Sequence, residues 1–197
     1  MCRSGFNRNL AISLLLSLSA CATPPRHINN ICAVFDQRTG WLDNWQQAAY
    51  SASAKYGIAV PILMATIRKE SGFKADARPP RKYMLGLIPW GYASTANGFS
   101  QALDGTWDQY RRETGNITAR RSDFADAVDF VGWYHAKSAA LLNIPRDDIY
   151  HLYLAYYVGW NAYQLGGWQS NPNVQRYARD TAQMAADYAE QLHQCGL

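Results

Sequence analysis

The apolar positions of this chain recur at helical steps over most of its length. Phe124, Val128, Val131, His135, Ser138 and Leu142 follow three- and four-residue steps, so residues 122–142 are predicted as the longest helix. Val60 to Ser71 reads differently. Its segment PILMATI is apolar on every side until Arg68, the pattern of a helix buried all round. Pro61 suits the first turn of that helix, where its fixed φ is already helical. Trp41–Tyr56 is predicted as a helix closed by Gly57, and Leu103–Thr114 as one capped by Asp104 and followed by Gly115. Pro145 is expected to open a further helix reaching Val158, and residues 173–194 to form the last. No convincing strand run is present, so the expected fold class is all-α: six helices in one compact domain. Residues 76–100 (DARPPRKYMLGLIPWGYASTANGFS) interrupt the helices with three prolines, three glycines and four aromatics. Such an insertion is too apolar for a plain surface loop and is expected as a lid or small hairpin lining a cleft.

Composition narrows the classes. Of 197 residues, 48% are hydrophobic and 17% charged, which excludes a disordered chain. Lys and Arg number 19 against 15 Asp and Glu, and no long basic run occurs, so nucleic acid is not an expected partner. No apolar stretch approaches the ~20 residues of a membrane span. His27, His135, His151 and His193 are scattered, and no metal-ligand pattern or glycine-rich phosphate loop appears, so neither metal nor cofactor is expected.

The N-terminus bears on location. Leu10–Ala20 (LAISLLLSLSA) follows Arg3 and Arg8, and has the size of a signal-peptide hydrophobic region. It ends in Leu18-Ser19-Ala20-Cys21, which resembles the bacterial lipobox rather than an ordinary signal with an incidental cysteine. The expected organisation is a lipoprotein signal over 1–20, a tether over 21–40 and the domain over 41–197. Lipidation at Cys21, with no Asp at position 22, implies a periplasmic protein anchored to the inner leaflet of the outer membrane, touching the membrane through its lipid alone. Removing Arg3 and Arg8 halves the positive balance, so basicity carries little weight. Cys2 leaves with the signal and Cys21 takes the lipid. Cys32 and Cys195 then remain as a pair, expected to form a disulfide in an oxidising compartment rather than stay as free thiols. Closing so long a loop is worth about 5 kcal/mol in the chain-entropy view.

The candidate chemistry centres on Glu70, at the end of the buried helix. Partial burial raises a carboxyl's pKa and suits a general acid; an exposed last-turn residue beside Arg68 and Lys69 is the alternative. Two further motifs bear on the choice. Glu70-Ser71-Gly72-Phe73, Gly98-Phe99-Ser100-Gln101 and Ala155-Tyr156-Tyr157-Val158-Gly159 occur in the order of the Glu-Ser-x-Phe, Gly-Leu-Met-Gln and Ala-Tyr-Asn-x-Gly motifs of SLT-type lytic transglycosylases. Over residues 45–190 the chain resembles that family, which is related to goose-type lysozyme. Phe99, Ser100 and Tyr157 depart from the pattern, and the gap from Glu70 to Gln101 is longer than usual, as in a divergent branch.

The resemblance implies a lysozyme-like fold and cleavage of peptidoglycan between N-acetylmuramic acid and N-acetylglucosamine, without water, to 1,6-anhydro-muropeptides. Glu70 would act as acid and then as base, with Tyr156 steadying it. Gln101 would bind the sugar's amide groups, with Ser71, Ser100, Phe99 and Tyr157 as further contacts. Trp90, Tyr92 and Phe99 are candidates to stack on sugars. Trp160, Tyr163 and Trp168 line the cleft or pack the core. Two other readings stay open. A hydrolase of the same fold would need a second carboxylate, such as Asp76, Asp104 or Asp108, to activate water. A non-catalytic member would bind peptidoglycan as a scaffold in an envelope or secretion complex.

Overall fold

The structure is a computed structural model that describes residues 23–41, 43–84 and 88–197, and of residues 82–84 and 88–90 the backbone alone. The signal and Cys21 lie outside the described residues. Eight α-helices occur among those residues: α1 (Ile31–Gln37), α2 (Trp45–Tyr56), α3 (Val60–Ser71), α4 (Asp104–Thr114), α5 (Phe124–Leu142), α6 (Ile149–Val158), α7 (Trp160–Gln164) and α8 (Pro172–Gln194). A short hairpin, β1 (Arg81–Met84) and β2 (Ile88–Tyr92), lies between α3 and α4. The all-α expectation holds.

Helix α3 is the axis of the core. Ile62, Leu63, Met64, Ala65 and Ile67 are all buried, because α2, α5 and α8 pack around it. Each fully buried Leu or Ile contributes about 1.5–3 kcal/mol, so an all-round apolar helix is stable only in such a position. Helix α5 lies against α2, α4 and α6. Tyr153 and Leu154 of α6 meet Val174 and Ala178 of α8 in a smaller cluster. An aromatic knot ties the insertion to the helices. Trp45 stacks on Phe124 at 4.1 Å between centroids, and Phe99 meets both rings edge-on at 5.4 and 5.6 Å.

Several boundaries move, two of them because a side-chain cap is available at the new position. Helix α2 starts at Trp45, where Asn44 accepts the N–H of Gln47, leaving Trp41 95% exposed outside it. Asp148 caps α6 by accepting from His151, so Pro145 opens only the preceding turn and not the helix. Leu103, not Asp104, is the N-cap of α4, and the N–H of Asp104 donates to Thr95 Oγ1. Part of the expected tether is structured as well. Ile31, Val34 and Phe35 of α1 are buried, and α1 packs on α8, where a disulfide joins Cys32 to Cys195. The expected pairing of these cysteines is therefore present.

The hairpin is antiparallel, with Arg81 opposite Tyr92 and Met84 opposite Ile88, and an irregularity between Lys82 and Tyr83. Its prolines and glycines concealed the strands from periodicity, as the pattern has too few alternating positions to register.

Candidate active site

Glu70 occupies the last turn of α3. Gly72, in the left-handed conformation (φ 59°), ends the helix and returns its N–H to Arg68 O at 2.9 Å. Phe73 is left-handed as well (φ 62°) yet buried, so the chain turns sharply beneath the carboxylate. Glu70 thus emerges at the wall of a cavity of about 600 Å³. Pro79, Pro80, Ser94 and Gln101 form one side, and Phe130, Tyr134, Tyr156 and Tyr157 the other. Burial pushes the Glu70 pKa up to about 7, against opposing contributions from the Tyr153 hydrogen bond and the Lys69 charge. At neutral pH the carboxyl is therefore shared between its two protonation states. Glu70 is the one acidic residue lining this cavity among the described residues.

The hydroxyl that touches Glu70 belongs to Tyr153, not to Tyr156. Tyr153 is 2% exposed and donates to Glu70 Oε1 at 2.8 Å. Tyr156, nearly one turn further along α6, donates instead to the main-chain oxygen of Ser100 at 2.6 Å. The expected Glu70–Tyr156 contact is corrected accordingly: Tyr156 braces the loop that carries Gln101. Desolvation pushes both phenols well above their usual range, so each remains a neutral donor.

The second motif is a tight loop. Gly98 has φ 72°, and a Cβ there would lie 2.2 Å from Arg121 O, so the position accepts only glycine. Phe99 then donates its N–H to Arg121 O at 3.1 Å. Gln101 (φ 49°) spends both amide hydrogens on Ala77 O and Gly98 O, at 2.9 and 2.8 Å. Its side-chain oxygen is the group left for a ligand, so Gln101 can meet a sugar amide only as an acceptor.

Other expected contacts are not available. Phe99 is 2% exposed inside the aromatic knot and cannot stack on a sugar. Ser100 is fully buried, with its hydroxyl unpaired, and Ser71 donates to Ile67 O at 3.1 Å within the helix. Tyr157 is half exposed and does line the cavity. Tyr92 is exposed but faces a neighbouring hollow. The side chain of Trp90 lies outside what is described. Trp160 stacks on Tyr134 and donates to Ser138 Oγ at 2.8 Å, and Trp168 stacks on Tyr163, so both are packing residues here. Of the acids a hydrolase would recruit, Asp104 is paired with Arg121 and Asp108 with Arg111, and Asp76 does not line the cavity.

Sequence reasoning missed Tyr153. The signal available was helical spacing: Tyr153 lies three residues before Tyr156 in IYHLYLAYYV, but that helix is apolar on nearly every side. Phe130 and Tyr134 of α5 were missed likewise, since they lie off the Phe124–Leu142 stripe from which that helix was read.

Residues 9–195 match the family described as the transglycosylase SLT domain. The chain belongs to that family. The fold of this SLT domain is similar to that of the lytic transglycosylase Slt from Pseudomonas aeruginosa, an inactive mutant, with a TM-score of 0.56 at 14% identity. That match covers 83% of this chain and 26% of the Slt chain, so the SLT domain spans about a quarter of that protein. No curated protein matches the sequence.

Proposed function

We propose that this SLT domain is a peptidoglycan lytic transglycosylase with Glu70 as its acid and then its base. The observation that carries this reading is the one carboxyl lining the cavity among the described residues, its pKa pushed up to about 7 by burial. Protonated Glu70 donates to the glycosidic oxygen between N-acetylmuramic acid and N-acetylglucosamine. The substrate's acetamido group relieves the oxocarbenium-like charge. Glu70, now ionised, accepts the proton of the muramoyl C6 hydroxyl, whose oxygen closes onto C1 as the 1,6-anhydro product. One carboxylate suffices because the substrate supplies both nucleophiles, one of the recognised departures from the two-carboxylate scheme. Tyr153 supports the first step, since its hydrogen bond favours the ionised form that Glu70 takes on as it gives up its proton. Family membership supports the substrate class.

The proposed setting is the periplasm, with lipidated Cys21 holding the domain at the outer membrane. Purified sacculi digested by the wild type and by Glu70→Gln, with mass analysis of the soluble fragments, test the reaction. Anhydro-muropeptides from the wild type alone are expected. Fragments heavier by one water would indicate a hydrolase, and binding without release a scaffold. Labelling of the wild type but not of Cys21→Ser with a radioactive fatty acid tests the anchor.

A further inference from the structure

The hairpin insertion carries two arginines that rest on one aromatic ring. Arg78 and Arg81 are both exposed, and their guanidinium carbons lie 5.3 and 5.5 Å from the centre of the same ring, Tyr92. Neither has a carboxylate within salt-bridge distance, and neither donates a hydrogen bond, among the described residues. Arg121 differs: it shares the hollow with Arg78 but is bound to Asp104 and to two main-chain oxygens. The ring holds both guanidinium groups in place and leaves their N–H forks free. Either fork can give an anion bidentate hydrogen bonds.

The position of the pair relates it to the cavity. Pro79 and Pro80, which separate the two arginines in sequence, form part of the wall facing Glu70. Ser94 lines both the Glu70 cavity and the hollow of about 410 Å³ that contains Arg78 and Tyr92. A ligand filling the cavity therefore continues toward the arginines. The sugars of a peptidoglycan strand are uncharged, and the carboxylates of such a strand sit on the peptides that branch from its muramoyl residues.

We propose that Arg78 and Arg81, stacked on Tyr92, form an anion subsite that binds carboxylates of the peptide stem and directs this domain to stem-bearing strands. The subsite rests on the lytic transglycosylase reading, because that reading supplies the ligand.

The test is a binding ratio, independent of turnover. Glu70→Gln protein is titrated with glycan strands carrying their peptides and with strands stripped of them by an amidase. Tighter binding of the stem-bearing strands is expected, with a preference that weakens at about 0.5 M salt. Adding Arg78→Ala and Arg81→Ala lowers that preference about tenfold, as expected for lost charge-assisted hydrogen bonds. Arg78→Lys with Arg81→Lys retains part of it, since the charge stays and the fork is lost. An unmoved ratio overturns the subsite, and so does an equal loss for both ligands, which would mean the arginines only pack the hairpin. Binding of neither strand overturns it too. Loss of binding to vesicles containing phosphatidylglycerol, with the glycan ratio unmoved, would assign the pair to a membrane surface instead. Failure of the lytic reading appears separately, as wild-type protein that binds strands but releases no anhydro products.

Discussion

The two walls of the Glu70 cavity are built on opposite principles. The helical wall, from α3, α5 and α6, is desolvated apart from the half-exposed Tyr157, and its chief polar groups have assigned partners: Glu70 with Tyr153, Tyr134 with Ala155 O, Tyr156 with Ser100 O. The loop wall, between Ala77 and Leu103, is exposed at half of its described residues, among them Arg78, Arg81 and Gly91–Thr95. It holds its shape through main-chain hydrogen bonds, the Gly98 turn and the buried anchor of Phe99. Desolvation lets one wall tune a proton, while solvent access lets the other carry unpaired charge toward a substrate. On the proposed reading, chemistry and discrimination are thereby separated, and changes on one wall are expected to leave the other's property in place.

The largest effect is expected on the helical wall. Glu70→Gln removes the general acid and base, and turnover of sacculi falls by at least the ~10²–10⁴-fold that such catalysis supplies. Binding of glycan strands by that variant persists, because the loop wall is untouched. Truncating the anchor of the loop wall is the next largest. Phe99→Ala leaves a hole beside Trp45 and Phe124, costing about 3–5 kcal/mol, seen as a lower Tm by calorimetry. Preserved stability in that variant would show that the loop wall is not held by the knot.

A third prediction concerns the cost of the tuned proton. The Glu70 pKa rises from 4.5 to about 7 on folding, so the folded state binds the proton more tightly than the unfolded chain. That contribution is fully felt at low pH and is lost as pH rises through about 7. Glu70→Gln avoids the penalty and should be more stable than the wild type at pH 8, by up to roughly 3 kcal/mol, with the difference vanishing near pH 4. Denaturant unfolding at the two pH values measures it. The smallest effect separates the two tyrosines. Tyr153→Phe removes a bond that lowers the Glu70 pKa, so the alkaline fall in kcat/KM, expected near pH 7 in the wild type, moves to higher pH. Its rate falls about tenfold, in keeping with a lost hydrogen bond to a charged group. Tyr156→Phe should leave the position of that limb where it is, since its hydroxyl serves Ser100 O.

Much of the helical wall was legible in the residues. An apolar helix ending in Glu70-Ser71-Gly72-Phe73 announces a partly buried carboxylate at a helix terminus, because apolar content and glycine stops are local properties. The same holds for the all-α class, the Gly98 loop and the existence of the insertion. The pairing of Cys32 with Cys195 was readable too, by elimination among four cysteines. What local pattern does not carry is which of two neighbouring tyrosines points where. Tyr153 and Tyr156 share one face of α6, and only the packing of α6 against α5 and α8 determines that the first meets Glu70 and the second meets the loop. Phe99 shows the same limit: its motif position reads as a substrate contact, but burial against Trp45 and Phe124 takes it out of the cavity. Residue types and their local spacing settled six of the eight described helices, the place of the carboxylate at the end of α3 and the family. Side-chain direction depends on contacts between residues far apart in the chain, so the tertiary structure alone decided the proton's partner, the acceptor-only role of Gln101 and the unpaired arginines at the rim.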